Sequence, residues 1–245
     1  MSQVLNLVFD SKKVGFYRSQ VGEVFFLEDS EINISVSFFL DNLKEIIRKN
    51  HQHNELIRIY FNPGKYTLIP ASLFLPSKIE DYFRINFGAT STDELVQYES
   101  ILTLGTVLIY SLPSWLITLK SEINGFGDVK TILGRNLTRI NDHKSMNLIY
   151  CTIRHDKMDV LVKSNGKLLL ANQYDVQNEE DIVYFLLLIV QKLNLPISTT
   201  LELTCNSTKI DLDRFQTISA SIQELSIISL EILENKTYFN SILCV

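Results

Sequence analysis

Residues 148–171 read LIYCTIRHDKMDVLVKSNGKLLLA, and the two polar breaks in this stretch decide the fold. Leu148–Ile153 is rich in β-branched and aromatic residues. Arg154-His155-Asp156-Lys157 is polar, and Met158–Val162 resumes the β-rich character. Ser164-Asn165-Gly166-Lys167 carries the Asn-Gly pair of a tight hairpin, and Leu168–Ala171 follows it. Three antiparallel strands are therefore predicted. Downstream, Asn178 reads as a helix cap with Glu179, Glu180 and Asp181 in the first turn, where carboxylates meet the positive helix end. The helix Ile182–Leu193 is apolar on nearly every side, which predicts burial on more than one face. Pro196 ends it, and Leu201–Cys205 is a returning strand. A strand reached through a crossover helix lies parallel to a neighbour, so the sheet is mixed.

Moving towards the N-terminus, the same order recurs over residues 4–61. Val4–Phe9, the polar Asp10-Ser11-Lys12-Lys13, Val14–Arg18 and Val24–Leu27 read as three strands. Val36, Phe39, Leu40, Leu43, Ile46 and Ile47 make one helical face, capped by Asn33 or Ser35. Leu56–Phe61 is the fourth strand, stopped by Asn62-Pro63-Gly64. Laid over one another, the two copies align Asp10 with Asp156. Three antiparallel strands, a crossover helix and a further strand resemble a ribonuclease-H-like unit. Two such units, with mixed sheets covered by helices, resemble the core of the actin-like ATPase superfamily. The expected division is 1–145, a first lobe with an insertion, and 146–245, a second lobe.

Residues 71–146 are less regular. Ser77–Phe87, Pro113–Ile123 and Thr131–Asp142 read as helices and Leu102–Leu112 as a strand, after a short strand Tyr66–Ile69. Past Cys205, Leu212–Gln223 reads as helix, Leu225–Ile232 as strand and Thr237–Leu243 as a short terminal element.

Hydrophobic residues make up 46% and charged residues 21%, which places the chain among folded globular proteins rather than disordered ones. The formal net charge of −5 argues against a nucleic-acid partner. Cys151, Cys205 and Cys244 have no CxxC spacing and apolar neighbours, which suits small buried hydrophobes in a reducing compartment. The longest apolar run, Ile182–Val190, falls short of the ~20 residues that span a bilayer. Val4–Phe9, broken by Asn6, is too short for a secretory signal. A cytoplasmic protein away from membranes is expected.

The segments Gly166–Val176 and Glu180–Leu188 resemble the hallmark of a bacterial family catalogued as domain of unknown function thirty-eight twenty-two. Thr67–Phe74 and Tyr238–Cys244 resemble the same family. The resemblance implies an actin-like ATPase fold and supplies no catalytic residue.

That fold grips phosphate with two hairpin turns of the form Asp-x-Gly-(Ser/Thr/Gly), the glycine letting backbone N–H groups approach the oxygens. The first turn here, Asp10-Ser11-Lys12-Lys13, keeps an Asp and a hydroxyl without a Gly. The second, His155-Asp156-Lys157-Met158, also lacks one. No two glycines are adjacent, and Gly125-Phe-Gly127 reads as a loop. Asp10, Ser11, Lys12 and Asp156 are therefore the candidate phosphate-turn residues, against the plainer view that each Asp caps its own turn. His51 and His53 lack a third ligand nearby, so no metal site is expected. No GxSxG, Walker loop or local Ser/His/Asp signature occurs. Arg135, Arg139 and His143 are spaced by four and form a basic stripe if helical, a candidate partner-binding face. Trp115, Tyr98 and Tyr110 read as core or half-core residues.

The favoured expectation is a non-catalytic actin-like protein, more binding module than enzyme, with no cofactor. Its partner would be another protein or a second copy of itself. The alternatives are a divergent nucleotide-binding ATPase or kinase, holding ATP with magnesium between Asp10 and Asp156, and an accessory factor in RNA or ribosome metabolism using the basic stripe.

Overall fold

The fold comes from a computed structural model. It describes residues 3–10, 13–20, 23–31, 38–52, 55–123, 126–154, 156–205, 209–222, 225, 229–233 and 243. The expected helix cap at Asn33 or Ser35, His53, and the terminal element apart from Leu243 lie outside these residues. The chain divides into two compact units, Met1–Asn136 with Asn240–Val245, and Leu137–Phe239.

The first unit opens with β1 (Val4–Asp10), β2 (Lys13–Gln20), β3 (Glu23–Glu31), α1 (Phe39–Asn50) and β4 (Leu56–Phe61). Then come β5 (Tyr66–Pro70), α2 (Ile79–Phe87), β6 (Glu94–Ile101), β7 (Thr106–Pro113), α3 (Ser114–Glu122) and β8 (Phe126–Thr131); α4 (Ile132–Asp142) starts in this unit and ends in the second. One sheet has the order β3-β2-β1-β4-β8, the first two pairings antiparallel and the last two parallel. Leu5, Leu7, Phe9, Val14, Phe16, Ile57 and Ile59 are buried in it. Trp115 joins three elements, its ring 5.2 Å from Phe9 and 5.1 Å from Phe39. It is a packing residue, as the sequence predicts. A second small sheet, β5-β7-β6, is antiparallel, with Phe83 of α2 packed on Val96, Val107 and Ile109. Tyr110 is buried, whereas Tyr98 stays 42% exposed with its ring against Phe74.

The second unit holds β9 (Leu148–Arg154), β10 (Lys157–Ser164), β11 (Lys167–Asp175), α5 (Glu179–Leu193), β12 (Thr200–Cys205), α6 (Leu212–Ala220) and β13 (Ser229–Leu233). Its sheet order, β11-β10-β9-β12-β13, repeats the pattern of the first: antiparallel, antiparallel, parallel, parallel. The Asn165-Gly166 turn has both residues at positive φ, 50° and 75°, the conformation a two-residue hairpin favours. Asn178 caps α5, its side chain accepting a bond from the Asp181 N–H at 3.0 Å. Ile182, Val183, Leu186 and Ile189 of α5 are buried on Ile149, Cys151, Ile153 and Leu203. Leu187, Val190 and Leu193 are half-buried against the same core, while Tyr184 is exposed. The acidic first turn of α5 is structural. Glu179 accepts from the Asp211 N–H at 2.6 Å, Glu180 pairs with Arg214, and Asp181 accepts from the Gln177 N–H at 2.8 Å.

Candidate functional site

In an open sheet with parallel strands, ligands gather beyond the carboxyl ends of those strands. In the first unit Phe9, Phe61 and Thr131 stand side by side in register, which makes that edge the ends of β1, β4 and β8. Asp10 is the last residue of β1 and pairs with Lys13 across a two-residue turn. Ser11 and Lys12, between these two in the sequence, lie outside the described residues.

Beside that edge α4 begins. Thr131 caps it: its Oγ1 accepts from the Gly134 N–H at 2.9 Å and donates to Glu99 Oε2 at 2.9 Å. A Cβ on Gly134 would come within 2.6 Å of Glu99 Oε2, so glycine makes room for this carboxylate. A carboxylate at a helix N-terminus is stabilised by the positive end of the helix dipole. Glu99 therefore supplies from within the protein the negative charge that this helix end favours. Burial, and next the Glu99 charge, push the Tyr110 phenol up to about 12. A phenol raised from 10.0 in the fold holds its proton after the unfolded chain has lost its own. Its stabilising contribution is complete below pH 10 and is lost as pH climbs through about 12. Tyr110→Phe is expected to flatten the fall in stability over that window, measured by urea unfolding at stepped alkaline pH.

In the second unit the equivalent hairpin differs. Arg154 pairs with Lys157 across the turn, as Asp10 pairs with Lys13. The residue at the Asp10 position is thus Arg154, and Asp156 matches Lys12. This corrects the expected alignment of Asp10 with Asp156. The offset arises because Asp10 is the last residue of β1, whereas Asp156 is the residue just before β10. Asp156 is exposed in the turn, and its carbonyl accepts from the Val176 N–H at 2.9 Å. Arg154 is buried and paired with Asp159, whose other oxygen accepts from Gln173 Nε2 at 2.7 Å. Lys157 pairs with Asp175, and that bond chiefly holds its ammonium pKa above the usual lysine range. A magnesium nucleotide needs a free carboxylate and bare backbone N–H groups here. Asp156 supplies an exposed carboxylate, but the position matching Asp10 holds a neutralised guanidinium and no glycine lets the backbone approach a phosphate, so the second turn fits the group poorly.

Tyr150, Thr152 and Arg154 alternate onto the sheet face opposite Cys151 and its α5-covered neighbours. Asp159 and Thr204 pair in register with Thr152, and Glu202 with Tyr150, so this buried face carries a polar stripe. The basic stripe of α4 joins it. Arg139 Nη2 lies 3.0 Å and His143 Nε2 2.6 Å from the carboxylate of Glu202. Arg139 also donates to the Tyr150 hydroxyl at 3.2 Å. The His143 Nδ1 accepts from the Ser145 N–H at 3.1 Å, so Nε2 carries the proton given to Glu202. Lys163 donates to the His143 carbonyl at 2.8 Å, and burial lowers its ammonium pKa. Two of the three stripe residues therefore bind inward, and Arg135 is half-buried on the same helix. Cys151 is buried, and burial pushes its thiol far up, which suits an inert packing residue.

Glu99, Arg154, Asp159 and Glu202 were not singled out from sequence. The last two carried a usable signal, a lone charge in an otherwise apolar strand, which alternation turns towards a buried face.

No curated protein matches the chain. Among solved structures, a crystal structure from Bacteroides thetaiotaomicron, a protein with actin-like ATPase fold and unknown function, is similar at a TM-score of 0.78. The two are 19% identical, over 100% of this chain and 96% of that one. The PilM-PilN type IV pilus biogenesis complex contains a chain similar at a TM-score of 0.53 and 8% identity, over 98% of this chain and 89% of that one. No helix among the described residues is long and apolar enough to cross a membrane. Residues 9–224 match the family described as "Protein of unknown function (DUF3822)"; the chain belongs to that family, and its fold is that of the actin-like ATPases.

Proposed function

We propose that this protein is a non-catalytic actin-like protein of the cytoplasm that acts by binding another protein or a second copy of itself. The observation that carries this reading is the second hairpin. Arg154, already neutralised by Asp159, stands where the first hairpin has Asp10. A phosphate turn rebuilt around an internal ion pair keeps the scaffold and loses the grip. The filling of the α4 N-terminus by Glu99 supports the same view. The PilM-PilN complex, in which a protein of this fold is joined to a partner, makes protein binding the natural use of such a scaffold. The repeated strand order favours an ancestral doubling, with the second lobe beginning near residue 146.

Isothermal titration with ATP or ADP and magnesium is the test. No heat of binding is expected, and micromolar affinity would overturn the proposal. One observation favours a nucleotide instead: Asp10 ends β1 at the carboxyl edge, where Ser11 and Lys12 would flank a phosphate. Should nucleotide bind, Asp10→Ala separates the cases, since binding through the first turn requires that carboxylate.

A further inference from the structure

We propose that a recess beside the C-terminal half of α1 binds a small aliphatic carboxylate, a site separate from the phosphate turns and independent of the function proposed above. The recess has a volume of about 270 Å³ and lies within the first unit, between α1, the start of β4 and the end of α3. Its apolar wall is Ile47, Ile57 and Ile123. Ile57 pairs with Leu5 near the start of both strands, so the recess sits at the sheet end opposite Asp10.

The polar wall is Lys44, Arg48 and His51, which follow one another up α1 at helical spacing, with Glu122 across from them. Three of these four groups are engaged. The Lys44 ammonium bonds Asp41 at 2.7 Å and Glu122 at 2.8 Å. Arg48 makes no hydrogen bond or ion pair among the described residues. The His51 ring is fixed by its Nε2–H donating to the Glu55 carbonyl at 2.8 Å, which leaves Nδ1 on the other side of the ring. Lys44 is shared between Asp41 and Glu122, so Arg48 is the cation of the lining whose guanidinium keeps free donors.

A helix C-terminus ordinarily repels an anion through its unpaired carbonyls. Here three carbonyls of the last turns are met from within the protein. Ile46 O accepts from the Asn50 side chain at 3.0 Å, Ile47 O from the His51 N–H at 2.8 Å, and Asn50 O from Arg18 at 2.8 Å. Arg48 is the lining group left to meet an anion. A planar guanidinium matches a carboxylate bidentately, and the isoleucine wall takes an aliphatic chain. The ligand read from this chemistry is a carboxylate on a short branched or straight alkyl body. It is either a free acid or the C-terminal residue of a peptide.

The test uses the full chain with labelled isoleucine methyls, titrated with hexanoate and with hexanol. Saturable shifts of the Ile47, Ile57 and Ile123 methyls are expected with hexanoate, and binding of hexanol about tenfold weaker or less. Arg48→Met, which keeps the aliphatic stem, is expected to weaken hexanoate about tenfold while circular dichroism stays unchanged. Equal binding of hexanol, indifference to Arg48→Met, or no saturable shift overturns the proposal. Gly-Gly-Leu with a free terminus, compared with its amide, distinguishes the two sources. Tighter binding of the free-acid peptide than of hexanoate assigns a chain end, and the reverse assigns a small acid.

Discussion

Asp159→Ala is expected to lower the stability of the second unit by about 3–5 kcal/mol, the cost of removing one partner from a buried ion pair. Arg154 and Asp159 are 7% and 5% exposed. A guanidinium does not shed its proton, so an arginine that loses its carboxylate keeps a charge in a place that water hardly reaches. Gln173 loses the acceptor of its amide as well. Hydrogen exchange in β9 and β10 gives the measurement, since both strands border the pair. Replacing the two together, Arg154→Met with Asp159→Leu, is expected to recover most of the loss, because a well-packed apolar pair often equals or exceeds a buried ionic one. A single substitution costing under about 1 kcal/mol would mean that the arginine charge is satisfied elsewhere. The ion pair would then not account for a lost phosphate grip, and the proposed function would lose the observation that carries it. The stability effect and the functional claim thus stand on one contact.

The backbone order was readable because each core strand advertises itself. Leu148–Ile153, Met158–Val162 and Leu201–Cys205 are β-rich between polar breaks, and a helix with its cap and acidic first turn sits between strands three and four. β6 and β8 were missed for physical reasons. Glu94–Ile101 mixes Glu94, Gln97 and Glu99 with its apolar residues because it is the edge of a three-stranded sheet and half of it faces water. Phe126–Thr131 contains Gly127 and Asp128, poor strand formers, and the sequence reads it as a loop. Long-range neighbours pull it into the sheet through β4. The ends of the site were legible as types, an Asp in each first hairpin. Their correspondence was not, since a shift of two residues around a turn leaves composition unchanged and alters only which residue faces which. Packing of α4 on the sheet, which puts Arg139 and His143 against Glu202, is a tertiary fact with no local trace.

Glu202→Ala is expected to cost about 3 kcal/mol or more, and the double substitution Arg139→Met with Glu202→Leu much less than the two single changes added together. Glu202 is nearly buried and takes bonds from Arg139 and from the His143 imidazole, which Ser145 and Lys163 hold in place from the other side. A coupling energy of about 1–3 kcal/mol between positions 139 and 202 is the expected mark of a shared network. Independent effects at the two positions would mean that each is satisfied alone. This geometry also changes how the basic stripe is tested. Arg139→Glu places a second carboxylate against a buried one, so any loss of partner or RNA binding in that variant reports damaged folding. Arg135→Gln, one helical turn before Arg139 and neutral in charge, is the variant that interrogates the face itself. Salt-sensitive RNA binding that persists in Arg135→Gln, with Arg139 and Glu202 intact, places the RNA elsewhere on the molecule.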